Sequence, residues 1–204
     1  VKKIITLEDP IEYELKNAIQ SEIHETEGYT FASALRAVLR QDPDVIMVGE
    51  MRDMETAEIA LQASLTGHLV LSTIHSNDAI ATIPRLINMG VKDYILAAGL
   101  ELIIAQRLVR KLCEKCKSST SLEAAEQKEM DEVIQSLQKK CIHTVSPNFM
   151  NAPGCAGCSK TSFQGRIAGA EVVPVTAELK AAILSGAHEV ELRKIIEKQN
   201  ILTI

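Results

Sequence analysis

The 204-residue sequence has no tryptophan and only three tyrosines and three phenylalanines. It therefore lacks the stacking platforms of a single-strand nucleic-acid binder. It also lacks a dominant charge, since 22 Lys and Arg against 27 Asp and Glu leave −5. That balance is too mild and too mixed for a surface that coats a phosphate backbone, so no nucleic-acid partner is expected. No apolar run approaches the roughly 20 residues of a transmembrane segment, and Val1-Lys2-Lys3-Ile4 has no signal-peptide layout. Glycine and proline are sparse and show no period, which argues against collagen-like repeats and disorder. The initiator methionine is missing too, and the chain starts inside an apolar run, so a fragment of something longer is expected.

Strand-like and helix-like patterns alternate in what is present. Ile4-Ile5-Thr6-Leu7 ends in Glu8-Asp9-Pro10, as a buried strand with a polar C-terminal tip would. From Thr30, a plausible N-cap, Phe31, Leu35, Val38 and Leu39 fall on one helical face, with Arg36 and Arg40 on another. Pro43 predicts that this helix stops near Asp42. Val45-Ile46-Met47-Val48 reads as a second strand ending at Gly49-Glu50, followed by a helix over about 54–65 with Gly67 beyond it. Leu69-Val70-Leu71 reads as a third strand leading to His75, and Asn77 or Asp78 caps another helix ending at Gly90. Continuous apolar strands between helices predict an α/β fold whose parallel sheet is covered on both faces. Ligands of such sheets sit at the strands' carboxyl ends. Those ends carry Glu8, Asp9, Glu50 and His75, with Asp53 just beyond. Residues 94–110 form a long amphipathic stretch; a helix over about 122–140 follows, its start marked by Thr120-x-x-Glu123 as a capping box. A strand over 166–173 and two short helices ending near Gln199 close the chain.

The cysteines carry the most specific spacing. Cys113-x-x-Cys116 and Cys155-x-x-Cys158 can each place two thiolates on one tight turn, and two such turns make a closed tetrahedral site suited to structural Zn²⁺. A thioredoxin-type redox pair, or pairs of free thiols or disulfides, are the alternatives. Four thiolates leave no open position for catalysis at a metal. Cys141 has no partner in this spacing and reads as a free thiol, with substitution for one of the four ligands as the alternative.

Three blocks then form a recognisable pattern: Ile5-Thr6-Leu7-Glu8-Asp9-Pro10-Ile11-Glu12-Tyr13, the run from Leu35 to Asp53, and Thr66-Gly67-His68-Leu69-Val70-Leu71-Ser72-Thr73-Ile74-His75. They resemble the Asp box, Walker B and His box of the secretion ATPase superfamily, and most of all the type II secretion and type IV pilus assembly motors. Both C-x-x-C pairs resemble the tetracysteine zinc subdomain of the assembly branch, which retraction-type motors generally lack. The resemblance implies a partial RecA-like P-loop NTPase core with a small zinc-binding subdomain. It implies ATP and Mg²⁺ as cofactors of the parent protein and structural Zn²⁺ in the appendage. It implies catalytic roles for Glu50, Glu8 and Asp9, with Glu50 acting with Mg²⁺ and the attacking water. It implies nucleotide sensing by His68, His75, Arg36 and Arg40. The phosphate-cradling G-x-x-x-x-G-K-[ST] loop does not occur in these 204 residues; in the family it lies upstream of the Asp box. The expected division is 1–112 as core, 113–158 as zinc appendage and 159–204 as C-terminal strand and helices. The implied parent is a cytoplasmic homohexamer, peripheral at the inner membrane, docked on platform proteins and coupling ATP hydrolysis to pilus or pseudopilus assembly. The alternative is a zinc-bearing protein-interaction module with an incomplete, non-hydrolysing core.

Overall fold

The computed structural model describes residues 2–140, 148–199 and 201. Short strands β1 (Ile4–Glu8), β2 (Ala18–Glu22), β3 (Val45–Val48) and β4 (Leu69–Ser72) form one sheet in the order β2-β1-β3-β4. Every neighbouring pair is parallel, with Ile5 opposite Ile46 and Ile46 opposite Val70, so all carboxyl ends reach one rim. Side chains alternate between the faces. Ile5, Leu7, Ile46 and Val48 point to one face and pack with Phe31, Leu35 and Val38 of α1 (Phe31–Leu39) and Ala60 of α2 (Met54–Leu65). The other face carries Leu69 and Leu71, which are 57% and 50% exposed. The expected cover on both faces is thus incomplete over β4 among the described residues, because α1 and α2 share one side. β2 carries no strand signal in the sequence, because its Ala-Ile-Gln-Ser-Glu has no continuous apolar run.

The helix boundaries follow local chemistry. Thr30 caps α1 in a reciprocal box with Ser33, and Asp42 before Pro43 takes a left-handed φ of 53°. Asp53 caps α2, and Gly67 past its end sits at φ 99°, where a Cβ would be strained. Leu35 is fully buried at the centre of the α1–sheet contact. Leu35→Ala is expected to cost about 2–5 kcal/mol, read as a fall in the denaturant midpoint without loss of the parallel-sheet signature.

The chain divides into two compact units, residues 1–103 with 174–193, and residues 104–173 with 194–204. In the first, α3 (Thr82–Asn88) follows the turn in which Asp78 accepts from Ala81 N–H at 2.8 Å. α4 (Asp93–Gly99) packs on α2 and on α6 (Ala177–Leu184). Residues 94–110 therefore split into the helix α4 and the start of a strand, β5 (Leu102–Leu112), since Leu100 turns to extended backbone. β5 pairs with β8 (Phe163–Pro174). The second unit also holds α5 (Ala124–Lys140) and the small antiparallel pair β6 (Ser118–Ser119) and β7 (Met150–Asn151). Thr120 does not form the expected capping box. Its N–H bonds Phe149 beside β6 and β7, and the Glu126 carboxylate takes the Glu123 N–H instead. The closing helix is α7 (Glu189–Lys198). Cys141 lies outside the described residues.

Candidate functional site

The rim is assembled by the tips of β1, β3 and β4. Gly49 brings the end of β3 against β1: its N–H donates to Leu7 O at 2.7 Å, and a Cβ there would lie 3.0 Å from that same oxygen. β4 is tied to the same tip, with Met51 N–H donating to Thr73 O at 2.9 Å and Thr73 Oγ1 donating to Gly49 O at 2.7 Å. These ties bring Glu8, Asp9, Glu50 and His75 to one edge.

Each acid has a different setting. Glu8 is buried, and its Oε1 accepts from Thr6 Oγ1 at 2.6 Å and Gln20 Nε2 at 2.8 Å. Thr6, Glu8 and Gln20 lie on one sheet face because Thr6 sits opposite Gln20 in the parallel register. Asp9 is more open and takes Arg52 Nη1 at 3.1 Å. Glu50 Oε1 takes Arg52 Nη2 at 2.6 Å, while its Oε2 lies 3.7 Å from His75 Nε2. The Arg52 hydrogen bond holds the Glu50 carboxyl below its ordinary range; partial burial opposes it, and the charges of Arg52 and His75 add to it. His75 is almost fully open to solvent.

The other residues singled out from sequence lie elsewhere. His68 Nδ1 lies 3.0 Å from Ala63 O and 3.2 Å from Thr66 Oγ1, at the C-terminal end of α2. Arg36 pairs with Glu55 at 2.5 Å between α1 and α2, and Arg40 is the C-cap of α1. Asp53 does not join the acids: both its oxygens are taken by Thr56, from N–H at 2.8 Å and Oγ1 at 2.9 Å, as the N-cap of α2. Arg52, with no role assigned from sequence, is the hub of the rim's ion pairs. Its signal was a single cation two residues past Glu50, in a run otherwise read for its acids.

Carboxylate oxygens are the donors Mg²⁺ takes, and Mg²⁺ is usually held by one or two carboxylates plus substrate phosphates and water. Glu8, Asp9 and Glu50 suit that role. Among the described residues, the only side chains that converge as a ready metal cage are Cys113, Cys116, Cys155 and Cys158, whose sulfurs all lie within 4.8 Å of one another. The separations are 4.0 Å for Cys113–Cys155 and Cys116–Cys158, and 3.9 Å for Cys155–Cys158. Four sulfurs at ~2.3 Å from one tetrahedral Zn²⁺ would sit roughly 3.8 Å apart. At these distances the four cysteines stand as free thiols, and a single redox pair does not account for four of them converging. Tight turns create the cage: Cys116 N–H bonds Cys113 O at 3.2 Å, and Cys158 N–H bonds Cys155 O at 3.2 Å. Burial and neighbouring thiols push Cys116 up to about 12, whereas backbone N–H groups, that of Cys155 foremost, pull Cys158 down to about 6. A cation is what would let all four carry charge together.

Residues 1–204 match the family model described as type II/IV secretion system protein. Over 197 residues the chain is 43% identical to type II secretion system protein E of Pectobacterium carotovorum, covering 96% of this chain and 37% of that protein. It is 41% identical to the type IV pilus assembly ATPase PilB of Thermus thermophilus, covering 100% of this chain and 22% of that one. It thus spans well under half of either relative. The crystal structure of the pilus retraction motor PilT with bound ADP superimposes with a TM-score of 0.61 at 30% identity, covering 97% of this chain and 44% of that chain.

Proposed function

The chain belongs to the type II/IV secretion system protein family, and from that premise we propose that it is part of a hexameric, ATP-hydrolysing motor that powers pilus or pseudopilus assembly. The observation that carries the reading is the gathering of Glu8, Asp9, Glu50 and His75 at the carboxyl rim of a parallel sheet, where such sheets bind ligands. Glu50 orients the attacking water, and Glu8 and Asp9 complete the acidic shell. Mg²⁺ and ATP would be held between these acids and a phosphate loop outside the 204 residues, the metal neutralising charge on the transferred phosphoryl group. His75 is placed to report on the γ-phosphate. His68, Arg36 and Arg40 act more remotely, through the ends of α1 and α2. The four cysteines hold structural Zn²⁺ that orders the appendage over 113–158. The motor works in the cytoplasm, peripheral at the inner membrane, against platform proteins of a type II secretion or type IV pilus machine. Among the described residues no helix is long and apolar enough to cross a membrane.

The 204-residue chain alone is expected to turn over ATP at no more than about 1% of the rate of a protein that adds the phosphate loop, because losing even one preorganised donor typically costs ~10²–10³. A colorimetric phosphate assay with Mg²⁺ checks this. Comparable turnover by the 204-residue chain, lost in Glu50→Gln, would contradict the assignment of the phosphate cradle to a segment outside it. An inactive longer protein with intact nucleotide binding would favour a docking module over a motor.

A further inference from the structure

Arg52 is placed to link all the open acids of the rim. Its Nη2 is 2.6 Å from Glu50 Oε1, and its Nη1 is 3.1 Å from Asp9 Oδ2 and 3.8 Å from Glu25 Oε1. Glu25 belongs to the one-turn 3-10 helix Glu25–Glu27, so one guanidinium spans the tips of β1 and β3 and the loop after β2. Glu8 stands outside this network, its Oε1 held by Thr6 and Gln20. The planar fork suits two carboxylates at once, as an ammonium does not. We propose that Arg52 is a positioning residue that holds the place of a divalent cation between Asp9 and Glu50, and that the cation must displace it from Glu50. This rests on the reading of Asp9 and Glu50 as acids that serve Mg²⁺.

The physical conflict is at Glu50 Oε1. A guanidinium at 2.6 Å takes up one of the lone-pair sites of Oε1, and its charge repels a second cation close by. With no metal the same charge keeps Asp9, Glu25 and Glu50 from repelling one another, so the rim keeps its shape. The Arg52 side chain is 46% exposed, so it can swing into water without opening the core. Arg52 therefore raises the metal concentration needed to occupy the rim and orients Glu50 until then.

The test is Mn²⁺ binding to the zinc-loaded 204-residue chain without nucleotide, read from the electron paramagnetic resonance signal of free Mn²⁺. Arg52→Gln and Arg52→Met are each expected to bind Mn²⁺ about fivefold more tightly than the unmodified chain, the scale of one exposed ion pair. Arg52→Lys should stay near the unmodified value because it restores the charge. Adding Glu50→Gln to Arg52→Gln should erase the gain. A purely structural Arg52 would leave binding unchanged or weaker in both uncharged variants, and that result overturns the proposal. So does a gain that survives Glu50→Gln, because the competition is then not at Glu50. The assay needs neither ATP nor a phosphate loop. A failed motor reading would show in the turnover assay, and a failed Arg52 reading here.

Discussion

Glu50→Gln in a protein that carries the phosphate loop is expected to lower ATP turnover by at least ~10² while ATP binding stays within about twofold. The substitution keeps the size and hydrogen-bonding capacity of the side chain and removes its charge. Glu50 is held by Arg52 on one oxygen and approached by His75 on the other, so the amide still fits the rim. What it loses is the ability to attract metal and to accept a proton from water, both of which matter most as the phosphoryl group transfers. On this reading nucleotide affinity would come mainly from phosphate and base contacts made by residues other than Glu50. Steady-state phosphate release together with fluorescent-nucleotide titration separates the two. Loss of binding in parallel with turnover would make Glu50 a structural residue of the rim and not a catalytic one.

Removing metal from the reduced chain is expected to unfold the appendage and spare the sheet. Among the described residues of 113–158 the buried apolar ones are few: Cys113, Ala152 and Cys158, two of them metal-ligand candidates. Val133 of α5 is 44% exposed, and Leu122 and Ile134 are only partly covered. Such a segment has little core of its own, so metal binding is its local folding energy, of order ~10 kcal/mol for structural zinc. Chelation should raise amide exchange across 113–135 and 148–158 by ~10³ or more. Strands β1, β3 and β4 should keep their protection, since their core of Ile5, Leu7, Ile46 and Val48 with α1 and α2 contains no cysteine. Elemental analysis should find about one zinc per chain, the stoichiometry of one closed tetrahedral site. Cys113→Ser should abolish it, and Cys141→Ser should leave it unchanged because the site is complete without that thiol. Zinc well below one per chain, or a sheet that loosens together with the appendage, would contradict the assignment.

Much of this molecule was legible in the sequence because it is encoded locally. Short β-rich runs at 4–7, 45–48 and 69–71 read as strands from local pattern alone, although Leu69 and Leu71 of the third stay half exposed. Thr30 and Gly67 mark helix ends because a cap needs only the residues beside it. Two C-x-x-C turns predict a four-sulfur cage because each turn fixes two ligands within four residues. The tertiary structure decided what depends on distant partners. β2 has no signal of its own and exists because β1 offers it an edge. Asp53 is the local exception: it had the composition of a rim acid, but Thr56, three residues on, uses both its oxygens and removes it from the site. His68 turned to the end of α2, and Arg36 found Glu55. Arg52 became the hub only because the parallel register sets Asp9 beside Glu50, residues 41 apart in the chain. Propensity and capping act over one to four neighbours and can be read along the chain, whereas a charge chooses its partner through space after the backbone has brought the strand ends together.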